Sequence, residues 1–283
     1  MVITVELPIL DNHLHLDPAG AGEKAILEFQ RAGGTHIILS HKPYSQAPIT
    51  KAEDYKKAFE ITLTLAERVR KETDVKVYVT LGPYPVELIW LSERMPVSEA
   101  KAILLAGMEL AGEHVRNGNA IALGEIGRPH FEVSSELIEA SNEILSNGLE
   151  LARDLDCAAV LHTESTTPEV CLDLAKIAEK VGIAKDRVVK HYSPPLVTQE
   201  LNAGLFPSVL ASEKNINEAV SQGTRFLMET DFLDDPKRPG AVLGVKTVPK
   251  RIYKLLKDNI LTEDDVFIIH QKNPKSVYGI EFD

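Results

Sequence analysis

Leu7-Pro8-Ile9-Leu10-Asp11-Asn12-His13-Leu14-His15 is an apolar run that ends in a carboxylate and two imidazoles. The histidines stand two apart, which puts both rings on one side of an extended chain but on roughly opposite sides of a helix, so shared ligation favours a strand. Four more apolar runs end in the same way: Ala120 to Gly124 before Glu125, Ala158 to His162, Arg187 to His191, and Arg225 to Thr230 before Asp231. Read as strands feeding loops, five distant segments carry imidazoles and carboxylates to one rim.

Three further β-rich runs, Thr35 to Ser40, Val75 to Leu81 and Leu205 to Leu210, bring the count to eight. The intervening stretches have helical spacing, for example Lys51 to Lys71 with Phe59, Leu63 and Ala66, and Ser134 to Leu155 with Leu137, Leu145 and Leu149. Strands that are apolar along their whole length are buried on both faces, as in parallel sheets. Eight β/α units in 283 residues predict an α/β fold, a closed (β/α)8 TIM barrel, with residues 1–283 forming a single domain. A chain of this length buries about 70 to 75% of its unfolded surface, enough for a large core. After the eighth strand, Val248 to Asp258 and Thr262 to His270 read as closing helices, the latter capped by Thr262 with acids in its first turn. Asn273-Pro274-Lys275-Ser276 starts a short terminal helix.

Lysine and arginine number 31 against 42 aspartates and glutamates, a formal charge of -11 that opposes a long polyanionic partner. Two bound divalent cations would add four positive charges to a cleft and reverse its local sign. No apolar stretch approaches the roughly 18 to 20 residues a membrane span needs. Met1-Val2-Ile3-Thr4-Val5-Glu6 lacks the basic start and apolar core of a secretory signal, so a cytoplasmic location is expected. Cys157 and Cys171 sit among aliphatic neighbours and are expected to be buried, reduced thiols.

Chemistry concentrates at the run ends. Glu125 lies between Gly124 and Ile126-Gly127; a carboxylate there suits the bridging of two cations, with the glycines allowing close backbone approach. His162 and His191 close consecutive runs, in register with the other donors. Asp231 follows Phe226-Leu227-Met228-Glu229-Thr230, where a carboxylate can bind metal and accept a proton from an attacking water. Asp11 is placed to orient an imidazole as an outer acceptor.

These motifs, with Asn273-Pro274 and Tyr278-Gly279 near the end, match in order the TatD-like family of metal-dependent hydrolases, within the wider amidohydrolase-like barrels, and the chain resembles that family along essentially its whole length. The resemblance implies that His13, His15 and Asp231 hold one divalent ion, that His162 and His191 hold a second, and that Glu125 bridges them. It also implies that water activated between the two ions is the nucleophile. Zinc or manganese is expected, with cobalt, iron and magnesium as alternatives. Asp231 and Glu125 are the expected catalytic pair, Asp231 as proton shuttle.

Departures from the family cluster where substrate would sit. Thr163-Glu164 follows His162 where the family commonly has Ser-Arg, and Arg128-Pro129-His130 follows the Gly-Glu-Ile-Gly motif in place of Leu-Asp. An acid in place of a base argues against a phosphate ligand at that position. Arg128, His130, Glu164, His41 and Lys237 are the expected substrate contacts, with Lys42 and Arg238 on the same rim. Lys250, Lys254 and Lys257 recur at helical spacing as a solvated face, and Tyr44 and Tyr192 are expected mainly to pack.

The leading expectation is hydrolysis of phosphodiesters in a nuclease-type reaction, on a short nucleic acid or a small molecule and without a membrane. A lactone, carboxylic ester or amide hydrolase is the alternative, since activated water attacks carbonyl carbon too. A metal-stabilised barrel that binds partners without turnover is the third reading, disfavoured because all six ligand candidates are present.

Overall fold

The structure, a computed structural model, describes residues 7–282. Met1 to Glu6, read above for the absence of a secretory signal, lie outside the described residues. Eight strands alternate with helices: β1 (Leu10–His15), β2 (His36–Ser40), β3 (Lys76–Leu81), β4 (Ala122–Gly127), β5 (Ala158–His162), β6 (Val188–Ser193), β7 (Phe206–Leu210) and β8 (Leu227–Glu229). All pair in parallel in sequence order, and a two-residue strand, β9 (Phe232–Leu233), continues β8 and pairs with β1 at Leu14 and His15. The Asp231 N–H also donates to the His13 carbonyl at 2.9 Å, so β1 meets the end of β8 and the cylinder closes as expected.

The main helices follow from their apolar spacing. The helix Asp54–Glu72 buries Tyr55, Phe59, Leu65, Ala66 and Val69, and the helix Ser135–Asp154 buries Ile144, Leu145 and Leu149. They belong to an outer core shared between sheet and helices. A separate inner core, including Leu10, Ile38, Ala122, Val160, Phe206 and Leu227, fills the lower barrel, where Val277 and Tyr278 of the last helix join it. The closing segment differs from expectation in one respect. A capping box at Thr262 and Asp265 starts a short helix, Glu263–Phe267, which passes into a π-helical turn, Ile268–Lys272, before the final helix, Asn273–Tyr278. His270 sits in that turn, buried, with Nδ1 3.0 Å from the Leu10 carbonyl. Among the described residues no helix is long and apolar enough to cross a membrane.

The strands also run further than the apolar runs, β1 to His15 and β4 to Gly127. His13, His15, Glu125 and His191 are within strands, because their backbones stay in the ladder although their side chains are polar. Three register breaks accompany them, between Asp11 and Leu14, Leu123 and Ile126, and Lys190 and Ser193. An extra residue in a strand reverses the alternation of faces beyond it and re-aims side chains. In β4, Ala122 faces the inner core while Leu123 and Ile126 both belong to the outer one, so Gly124 and Glu125 turn inward together. In β1, Leu10 faces in and Leu14 faces out, which sends His13 and His15 into the barrel.

Candidate metal centre

At the carboxyl ends of the strands the inward-facing donors converge. Glu125 Oε1 lies 2.7 Å from His13 Nε2 and 3.1 Å from His15 Nε2, and its Oε2 lies 2.9 Å from His162 Nδ1. Asp231 Oδ1 is 3.4 Å from His15 Nε2, and His191 Nε2 is 3.3 Å from His162 Nδ1. Two of the resulting groups, His13 with His15 and Asp231, and Glu125 with His162 and His191, each keep their donor atoms within 4.8 Å of one another. These are the six residues singled out in the sequence, brought to one place from five segments.

Local backbone makes the approach possible. A Cβ on Gly124 would lie 2.6 Å from Val160 Cβ, and one on Gly127, at φ +141°, would lie 2.2 Å from the His162 carbonyl. Only glycine lets β4 run that close to β5. Asp231 itself has φ +49°, a left-handed conformation unusual for a residue other than glycine, in the gap between β8 and β9. Asp11 holds that gap: its carboxylate accepts from the Thr230 N–H at 2.9 Å and the Thr230 hydroxyl at 2.6 Å. The expected role of Asp11 as an imidazole partner is thus corrected, since it anchors the turn that presents Asp231.

The donor chemistry fits a metal pair. His15 Nδ1–H donates to the Ser40 carbonyl at 3.0 Å, which leaves the Nε2 lone pair facing the centre. His191 Nδ1 stands 3.1 Å from Glu229 Oε1 and leaves its Nε2 inward. His13 Nδ1 meets the Ser40 hydroxyl at 3.1 Å, and His162 presents Nδ1 inward while Nε2 faces His130 Nδ1 at 3.0 Å. Metal-ligating imidazoles are oriented through the opposite nitrogen in this way. Glu229 was quoted in the sequence without a role. It also accepts from the Tyr192 N–H at 2.7 Å and from the Ser208 hydroxyl, so it fixes β6 against β7 and β8 around His191. Its sequence signal was an acid inside an apolar run.

Electrostatics reflect a crowded, dry site. Burial raises the cost of the Glu125 charge, but the imidazoles of His191 and His162 and bonds from His13 and His15 hold it well below the usual carboxylate range. Burial likewise opposes ionisation of Asp231, which its bond to His15 and the surrounding imidazoles nonetheless keep low. Burial pulls His15 down, yet Asp231 and Glu125 outweigh it and hold the imidazole at about 10. Two anionic carboxylates therefore attract a cation, proton or metal, into this cluster. Burial pushes Glu229 and Asp11 each up to about 7.

Above the centre opens a cleft of about 750 Å³ lined by Tyr84, Trp90, Phe131, Tyr192, Glu164 and Arg238 among others. Of the expected substrate contacts, His130 and Glu164 line it. Arg128 does not. It is buried, and its guanidinium grips Glu164 at 2.7 Å and Asp173 at 2.7 Å, so its charge is spent on holding the β5 loop. His41 is also corrected: it is buried outside the cleft, with Nδ1 2.8 Å from Thr62 Oγ1 and its ring against Phe59, because the helix Asp54–Glu72 packs over it. Lys237 is exposed and its neighbour Arg238 takes the cleft position. Lys42 reaches the cleft but is paired with Asp17 at 2.5 Å. Tyr44 packs as expected, whereas Tyr192 is half-exposed on the cleft wall. Lys254 pairs with Asp258 and Glu213 on a solvated helix face, and both cysteines are buried and free, their thiols pushed by burial up to about 11. Lys190, assigned no role from the sequence, is a buried lysine in β6, directly after Val188 and Val189, that also lines the cleft.

Similarity to known proteins follows the same outline. The family described as TatD related DNase matches residues 10–279. An uncharacterized protein of Methanocaldococcus jannaschii is 37% identical over 286 residues, covering 100% of both chains. Among solved structures, a TatD homolog of Escherichia coli gives a TM-score of 0.67 at 20% identity, covering 98% of this chain and 100% of that one. A TatD-like protein of Archaeoglobus fulgidus gives 0.65 at 17%, covering 96% and 100%. The Escherichia coli phosphotriesterase homology protein, complexed with phosphate in its active site, gives 0.63 at 11%, covering 97% and 99%. At these identities the structural likeness is one of fold.

Proposed function

We propose that this chain, which belongs to the TatD-related DNase family, is a divalent-metal hydrolase that cleaves phosphodiester bonds at the end of a short or unpaired strand. The observation that supports this reading is the convergence of six donors, with each imidazole's opposite nitrogen engaged. His13, His15 and Asp231 would hold one ion, His162 and His191 the second, and Glu125 would bridge, with zinc or manganese suited to this mixture of imidazole and carboxylate. When bound, such ions lower the pKa of water toward about 7 and stabilise developing negative charge on oxygen.

The protein's own groups divide the remaining work. Asp231 side-chain exposure is 15% against 4% for Glu125, so Asp231 is the acid that can exchange a proton with the cleft. Held below the usual range, it is ionised and ready to accept one. Glu229 fixes the His191 ring, and Asp11 fixes the turn carrying Asp231. Tyr84, Trp90 and Tyr192 offer aromatic faces on which an unpaired base can stack. A cleft of about 750 Å³ is of a size to take a terminal nucleotide or a compact ester.

A small lactone, carboxylic ester or amide is the second reading, favoured by the acids Glu164 and Asp235 on the rim. Metal-stripped protein reloaded with manganese, zinc, cobalt or magnesium and assayed on labelled single-stranded DNA beside a lactone and ester panel tests both. Metal-dependent release of nucleotides is the expected result; turnover confined to the ester panel would replace the first reading with the second.

A further inference from the structure

Among the described residues two lysine or arginine side chains are buried, Arg128 at 6% exposure and Lys190 at 3%, and they are partnered very differently. Arg128 grips two carboxylates, Glu164 and Asp173. Lys190 makes a single hydrogen bond, donating from Nζ to the His191 carbonyl at 2.5 Å, and has no ion pair. A buried ammonium without a contacting counter-charge is expensive.

Its strand sets its position. In β6, Val189 belongs to the inner core and Val188 to the outer one, so Lys190 starts on the helix-facing side of the strand. Its Nζ nevertheless bonds the His191 carbonyl towards the strand end, and the residue lines the cleft together with Thr163, Glu164 and Tyr192. Glu164, whose carboxylate Arg128 holds at 2.7 Å and 3.2 Å, forms no ion pair with it. Two donor valences of the ammonium remain for a group entering the cleft.

We infer that Lys190 is a phosphoryl-binding residue, holding a phosphate oxygen of the substrate between the loops that follow β5 and β6. The assignment rests on the phosphodiester reading for the identity of the anion, and on the unpaired ammonium for its place. It also explains how a cleft whose Arg128 is committed to acids and whose Lys42 is paired can still receive an anion.

Calorimetric titration of manganese-loaded protein with inorganic phosphate tests this, with sodium acetate as a second anion. Lys190→Met should bind phosphate about ten- to a hundred-fold more weakly than the wild type, the loss expected for one charge-assisted hydrogen bond, while Lys190→Arg retains most of the affinity. Identical isotherms for the wild type and Lys190→Met would overturn the inference, and Lys190-dependent binding of acetate without phosphate would overturn the phosphoryl assignment. Should Lys190→Met fail to fold, wild-type crystals soaked in phosphate decide: an oxygen within hydrogen-bond reach of Nζ supports the inference, and phosphate elsewhere overturns it. A protein that hydrolyses no phosphodiester yet shows the Lys190-dependent isotherm keeps this inference and loses the other. Phosphodiester turnover with equal isotherms does the reverse.

Discussion

The lower and upper halves of the barrel interior are built from the same strands and differ in one geometric respect. Below, Leu10, Ile38, Ala122, Val160, Phe206 and Leu227 point inward and pack as an apolar plug. Above, the inward positions are His13, His15, Glu125 and His191, and their strands carry the register breaks. Regular alternation makes a core; interrupted alternation, with two consecutive residues on one face, gathers ligands. Stability therefore resides mainly in the lower half and chemistry in the upper, and substitutions in the two should separate cleanly.

The largest separation is expected at Asp231. Asp231→Asn keeps the shape and removes the proton acceptor, so kcat should fall by about 10²–10⁴-fold while the melting temperature changes little. An unchanged kcat would place the proton transfer elsewhere. Glu229→Gln should come next. It leaves the ligand atoms in place and loosens His191, lowering metal affinity or activity about 10–100-fold, measured by competition with a chelating dye.

Glu87 sharpens the contrast from behind the cleft. It is buried, burial pushes its carboxyl up to about 7, and its partner is the Tyr55 hydroxyl at 2.7 Å. Because the folded pKa exceeds the ordinary 4.5, the unfolded chain ionises first as pH rises. Stability should fall between about pH 4.5 and 7. Asp11 and Glu229 are raised alike, so Glu87→Gln should make that slope shallower in pH-dependent denaturant titrations without altering metal content; an unaltered slope would mean the other two acids carry it. The smallest effect is expected in the lower plug, where Ile38→Val should cost about 0.5–1.5 kcal/mol of stability and leave kcat and KM as they were.

The same contrast explains what the sequence disclosed. Eight apolar runs made the barrel legible, because strands apolar along their length are buried on both faces. All six ligand candidates were legible by residue type and by order along the chain. Their aim was not, because a one-residue insertion in β1 or β4 leaves no mark in hydrophobic pattern. Nor were the partners of the rim residues: Arg128 was read as facing substrate and is instead tied to Glu164 and Asp173. His41 was read as rim and is covered by Phe59. Such contacts join residues distant in the chain, and local pattern carries no information about them. Glu229 and Lys190 were readable in principle, as charged residues directly after the apolar pairs Leu227-Met228 and Val188-Val189, a placement that is costly unless satisfied.

The account stands on six side chains gathering two cations at the upper end of the barrel. Elemental analysis of metal-replete protein, combined with anomalous scattering from its crystals, measures this most directly. Two ions per chain are predicted, one beside His13, His15 and Asp231 and one beside His162 and His191, with Glu125 between them. No ion at these residues, or ions bound elsewhere, would contradict it.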